Sequence, residues 1–329
     1  MSALSNIHGL RRASPPTEKL PNADSNHIQV RKVLVALDTS QPVVLSVAMS
    51  LCDLLAAELI VVHASVANEK TGIHDPLSRK ALREDIELDK NEIVQLAMSH
   101  PSYRALNLKV VVDYGVPIEL VSRFAQVENV DLIVAGTHGP GALERLALGS
   151  IAESIVREAE CPVLLVGPKC RGLHGLKSIA CASDLVRTKS RVSRYAMGLA
   201  KITKGRIKFV HVIPSNFLSD QLLHKHYVAD ARRKLSILVS QALRSEIPAE
   251  VAILAGKPDE TIIDFVSSRK TDVLIIGRNH HLFNSRTTSL LSKLVRRITC
   301  PILVVCKVHS LSIVEVRTVG AQQIQEAIP

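Results

Sequence analysis

Hydrophobic positions along this 329-residue chain follow two interleaved patterns. Short apolar runs rich in Val, Ile, Leu and Ala alternate with longer stretches in which apolar residues recur every three or four positions. The short runs read as buried strands and the longer stretches as amphipathic helices. In the N-terminal half the pattern predicts strands at 31–37, 59–65, 108–113, 130–135 and 162–167. Helices are predicted at 41–56, 77–99, 117–127 and 150–159. Alternating strands and helices of this kind specify a parallel sheet covered on both faces. Right-handed crossovers then bring every loop that leads from a strand into a helix to one edge of the sheet.

The pattern occurs twice. Gly115-Val116-Pro117 recurs as Gly256-Lys257-Pro258, and Asp131 to Gly136 recurs as Asp272 to Gly277, both at an offset of 141 residues. Cys161-Pro162 recurs as Cys300-Pro301 at an offset of 139. Val33 to Asp38 matches Ile179 to Asp184 at 146, and Val61-Val62-His63 matches Phe209-Val210-His211 at 148. Five blocks in one order with slowly drifting offsets define two homologous domains. The expected organisation is a disordered tail over 1–28, a first domain over 29–168, a linker over 169–176, a second domain over 177–308 and a tail over 309–329. Leu311 to Thr318 alternates in the manner of an edge strand. Strands 162–167 and 301–306 are apolar edges that need cover, and pairing them within the chain would give a pseudo-dimer. A further homodimer of such units is compatible with this reading.

Composition narrows the picture. Aromatic residues make up 3% of the chain and Trp is absent, which argues against a base-stacking platform and against nucleic acid as a partner. The net charge of +10 favours anionic partners without choosing among them. Six cysteines without a C-x-x-C pair lie mostly in or beside apolar runs and read as reduced thiols of a cytoplasmic protein. No secretory leader and no membrane span is expected, because charged residues interrupt the longest apolar region, 43–67. Arg11-Arg12-Ala13-Ser14 has the form of a basic kinase site.

The candidate chemistry sits where the fourth strand meets the fourth helix. Gly136-Thr137-His138-Gly139 is followed, after nine intervening residues, by Gly149-Ser150. Helix N-termini carry unpaired N–H groups and partial positive charge, so they hold phosphates, and glycines let an anion approach the backbone. Ser150 is placed to cap the helix and to bond a phosphate oxygen. Asp38 reaches the same edge and offers a carboxylate to ribose hydroxyls, although it also suits a helix cap. His63 reads as a loop-orienting residue. No P-loop, intact dinucleotide fingerprint or nucleophile elbow occurs.

Together these residues resemble the universal stress protein family. The resemblance lies in Val35-Ala36-Leu37-Asp38-Thr39-Ser40, in His63, in the spacing Gly136-x2-Gly139-x9-Gly149-Ser150, and in Cys161 to Val166. It covers residues 29–307 and is closest to the tandem members. It implies two five-stranded doubly wound domains of the adenine nucleotide α-hydrolase-like fold, packed as a pseudo-dimer. It further implies that Ala36 and Asp38 contact adenine and ribose and that Ala64 lines the adenine pocket. Ala135, Gly136, His138, Gly139 and Gly141 would wrap the triphosphate, with Gly149, Ser150 and Ile151 at its far end beside a magnesium ion.

The second copy departs from that pattern. Gly277 is kept, but His280 stands for Gly139, Thr288-Ser289 stands for Gly149-Ser150, and Gly141 has no glycine counterpart. Added Cβ atoms crowd a triphosphate, so ATP is expected in the first domain only. Arg278, His280, His281 and Arg286 make the replacement segment basic. It reads either as a solvated face or as an altered anion site comprising Asp184, Gly277, Arg278, His280 and Ser289. The leading expectation is a stress-response protein that binds ATP as a conformational ligand and uses it to switch an unknown protein partner, without a catalytic residue. The alternatives are a non-nucleotide scaffold that recruits an anionic metabolite, lipid or protein, and a slow ATPase.

Overall fold

The computed structural model describes residues 28–65, 76–137, 148–185, 190–215, 221–278 and 285–306. The expected tails, the alternating segment 311–318, and His138, Gly139, Gly141 and His280 lie outside these residues.

The first half contains β1 (Lys32–Leu37), α1 (Pro42–Leu55), β2 (Glu58–Ser65), α2 (Pro76–Met98), β3 (Leu108–Tyr114), α3 (Pro117–Val127), β4 (Leu132–Gly136), α4 (Ser150–Glu158) and β5 (Val163–Val166). The second contains β6 (Ser178–Ala182), α5 (Arg191–Thr203), β7 (Arg206–Pro214), α6 (Gln221–Arg244), β8 (Ala249–Gly256), α7 (Pro258–Ser268), β9 (Val273–Gly277), α8 (Ser285–Arg297) and β10 (Ile302–Val305). The ten strands of the described residues form one sheet in the order β3-β2-β1-β4-β5-β10-β9-β6-β7-β8. Each half is parallel. The expected junction forms between β5 and β10, which pair antiparallel with Leu165 opposite Ile302 and Val163 opposite Val304.

Alternate strand residues feed opposite layers. Val33, Val35 and Leu37 pack into the layer of α1, α2, α5 and α6, while Leu34 and Ala36 face that of α3, α4, α7 and α8. Both cores run through the junction and contain residues of both halves. Segment 169–176 is packed into this arrangement, with Cys170, Leu173 and Leu176 buried. Close approach at the junction requires glycine at 167, where a Cβ would lie 2.1 Å from the Val295 carbonyl oxygen of α8.

The fourth strand of the first half starts later than the apolar run suggests. The carboxylate of Asp131 accepts the Arg31 and Lys32 N–H groups at 2.7 and 3.0 Å. Asp272 accepts those of Lys177 and Ser178, both at 2.8 Å. These side chains tie off the strand beginnings, so 130–131 lies outside the strand.

Candidate functional site

In each half the chain reverses its direction of winding between the first and fourth strands. Beyond β1 and β4 the outgoing loops diverge to opposite faces and leave a crevice at the strand C-termini. Ala36 pairs in register with Ala135 across β1 and β4, which places Asp38 and Gly136 at its rim. Ala36, Ala64 and Ala135 project to one face of three adjacent strands, and Ala36 and Ala64 remain partly accessible. Three methyl groups leave room there that larger side chains would fill. On the opposite face Gly136 lies against α1. A Cβ at this position would sit 3.0 Å from Val44 Cγ2 and 2.7 Å from Gln41 Oε1.

Asp38 organises the entry into α1. Its Oδ1 accepts the Ser40 N–H at 3.0 Å and the Ser40 hydroxyl at 2.7 Å, while Oδ2 faces Gln41 Nε2 at 3.5 Å. Asp38 does not cap α1, whose N-cap is Gln41; it forms the turn that precedes the helix. His63 Nδ1 lies 2.9 Å from the Leu37 carbonyl, and its Nε2 lies 3.7 Å from Asp89. His211 makes the equivalent contact with the Ser183 carbonyl at 2.8 Å. A ring N–H bonded to a carbonyl holds the end of the first strand against the second, as expected for an orienting histidine.

The glycine loop closes on itself. Gly149 N–H donates to the Thr137 carbonyl at 2.9 Å, and Thr137 is buried, bonding the Val166 carbonyl through both N–H and hydroxyl. Thr137 is thus an anchor of the loop. Gly149, with φ −57° and ψ 142°, occupies the N-cap of α4. Ser150 is the first helical residue, so it does not cap the helix. Its hydroxyl stays at the exposed mouth, with Ile151 exposed beside it. The N–H groups of Ser150, Ile151 and Ala152 precede the first intrahelical bond, from Glu153 to Gly149, and point their partial positive charge into the crevice.

The second half has lost this arrangement in two ways that the glycine pattern alone does not reveal. Ala182 keeps the place of Ala36, but Val212 and Ile276 stand where the first half has Ala64 and Ala135. The repeat offsets contain this signal. In addition, α8 starts at Ser285, a full turn earlier relative to the shared Cys-Pro than α4 does. Ser289 is therefore the fifth helical residue, and its N–H points down the helix axis to a preceding carbonyl. Asp184 stays exposed at the rim, and Gly277 ends β9. Arg278 turns away from that rim and crosses to the first half. Its Nη1 donates to the carbonyls of Val156, Arg157 and Ala159 at 2.8, 2.8 and 2.9 Å, at the C-terminal end of α4. At the other end of α4, the Leu148 N–H donates to Ser292 Oγ of α8 at 3.2 Å. The helix that opens onto the crevice is held at both ends by the other half.

Burial pushes the thiols of Cys52, Cys161, Cys181 and Cys300 up to about 12. These groups are protonated packing residues at neutral pH. Among the described residues, no helix is long and apolar enough to cross a membrane, and no three His, Cys, Asp or Glu side chains gather as a metal site.

Two doubly wound halves joined through their fifth strands define a tandem protein of the adenine nucleotide α-hydrolase-like fold. The model of the universal stress protein family matches residues 29–167 and again 175–306. The chain belongs to that family. A universal stress protein of Thermus aquaticus is 35% identical over 140 residues, covering 41% of this chain and 98% of that one. One from Methanocaldococcus jannaschii is 50% identical over 52 residues, and the chain spans 31% of its length. The crystal structure of a universal stress protein from Archaeoglobus fulgidus superposes with a TM-score of 0.64 at 18% identity, covering 84% of this chain and 98% of that one.

Proposed function

We propose that the first half binds an adenine nucleotide, ATP with magnesium, in the β1/β4 crevice, and that the ligand acts by changing conformation. The observation that carries this reading is the contrast within one molecule. One crevice has a floor of Ala36, Ala64 and Ala135 and a helix start at Gly149-Ser150, whereas its copy has Val212, Ile276 and a longer helix. The base would lie on the alanine floor and the ribose near the outer carboxylate oxygen of Asp38. The phosphates would meet the α4 N-terminus, with Ser150 toward the magnesium ion they carry. Because Leu148 and the end of α4 are bonded to the second half, a ligand that shifts α4 would be felt there. The same architecture leaves the second half to serve the unknown partner.

The test is thermal stability with and without Mg-ATP. At about one hundred times the dissociation constant, binding to the native state alone contributes roughly 2.7 kcal/mol. The parent is expected to melt higher with Mg-ATP. Ala64→Val combined with Gly149→Thr, which installs the residues of the second half, should remove the shift. Threonine is a good N-cap, so this variant is expected to fold. A parent that shows no shift, or a variant that shifts equally, overturns the reading.

A further inference from the structure

The two halves share a fold and differ in charge. Residues 29–168 hold 12 Lys and Arg against 18 Asp and Glu, whereas residues 177–308 hold 23 against 9. Part of this excess gathers at the edge where the strands of the second half begin and its helices end, away from the crevice. One helix layer supplies Lys201 and Lys204 at the end of α5, and Arg244 at the end of α6. The sheet supplies Arg206 at the start of β7, and the other layer supplies Arg269 and Lys270 after α7. All six are exposed, and none makes an ion pair with a described residue. Of the acids nearby, Glu250 pairs with Lys208 and Asp272 accepts two backbone N–H groups, which leaves Glu246.

Cations complement the dipole at helix C-termini, but the equivalent helix-end positions in the first half are not themselves basic. At equivalent positions Lys201 replaces Asp53, Arg206 replaces Glu58 and Arg269 replaces Glu128. The backbone equivalence is close. Lys204 and its counterpart Ala56 both have φ 51°, and Lys270 and its counterpart Asn129 have φ 48° and 51°. Arg206 faces Ser178 in register as Glu58 faces Lys32. Two of the lysines therefore occupy left-handed backbone that disfavours large side chains. The fold does not require a cation at the positions of Lys201, Arg206 and Arg269, since its own copy carries acids there, of which Glu128 pairs with Lys32 and Lys109. Ile202 and Leu243, 42% and 56% exposed, stand among the cations on the last turns of α5 and α6.

We propose that this edge is a docking surface for an anionic phospholipid bilayer. Cations contributed by all three layers would meet lipid phosphates, and the two apolar side chains would enter the boundary between headgroups and acyl chains. A nucleic-acid backbone would engage the cations but would have no use for Ile202 and Leu243.

Flotation of the full chain with vesicles tests this. Binding is expected to phosphatidylcholine vesicles containing roughly one-third phosphatidylserine, and not to phosphatidylcholine alone, since each surface cation contributes about fivefold. Added salt should weaken it. The triple variant Lys201→Asp, Arg206→Glu, Arg269→Glu transplants the residues of the first half. It should lose about a hundredfold in affinity on the same per-cation scale while melting like the parent. Ile202→Ser with Leu243→Ser should cost about tenfold at unchanged charge. The proposal is overturned if the folded parent does not float with anionic vesicles at low salt, or if the triple variant floats equally. It is also overturned if the parent binds duplex DNA, or associates with itself through this edge, without floating.

Discussion

Replacing Arg278 tests whether the two halves are energetically one structure. Its Nη1 stands 2.8 to 2.9 Å from three carbonyls at the end of α4. That nitrogen has two hydrogens, so it makes two full-strength bonds at once, and a bond to a charged donor contributes about 1.5–3 kcal/mol. The Arg157 carbonyl is at an exposed site and would be rehydrated after removal, whereas those of Val156 and Ala159 are partly buried. The net loss for Arg278→Met, which keeps much of the apolar stem, is therefore about 2–3 kcal/mol. For a folded region of this size that corresponds to a fall in Tm of about 5 °C. Arg278→Lys offers a compact ammonium that reaches fewer of the carbonyls, and it should recover about half of the loss. Differential scanning calorimetry of the three proteins reads the effect. A change below about 1 °C for the methionine variant, on the same scale, would refute the argument. So would a lysine variant no better than methionine, because the bonds would then contribute nothing beyond packing.

Two further predictions concern the junction and the thiols. Gly167→Ala places a methyl group 2.1 Å from a backbone carbonyl that cannot swing away, and should destabilise by roughly 3 kcal/mol, measured by urea unfolding. An unchanged midpoint would show that β5 and α8 are not packed this way. Cys52, Cys161, Cys181 and Cys300 have thiols raised to about 12, above their unfolded values. The stability they contribute is complete below the unfolded thiol range and falls as pH rises from about 8.5 toward 12. A pH series of unfolding midpoints should show that decline, and Ellman's reagent should label the buried Cys52, Cys181 and Cys300 at neutral pH only after unfolding. Rapid labelling of the native chain would contradict their burial.

Much of the architecture was legible in the chain itself. Apolar runs bounded by glycine and proline located the strands to within about two residues, and the repeat implied two copies of one fold. The spacing from Gly136 to Ser150 marked one crevice, and the pairing of β5 with β10 followed from apolar edges that need cover. These features depend on local periodicity and on short-range backbone requirements, which a linear sequence records directly. Other features depend on which residues meet across long separations. Arg278 was read with the basic loop that follows it, yet it serves a helix 119 to 122 residues away. The burial of Thr137 depends on Val166, which is 29 residues away. The filling of the second crevice by Val212 and Ile276 needs knowledge of which strand faces share one side. The sequence by itself determined that there are two similar halves and that one retains a glycine-bearing helix start. The tertiary structure decided that the halves share both cores and hold one helix between them, because packing and hydrogen bonding act on proximity in space.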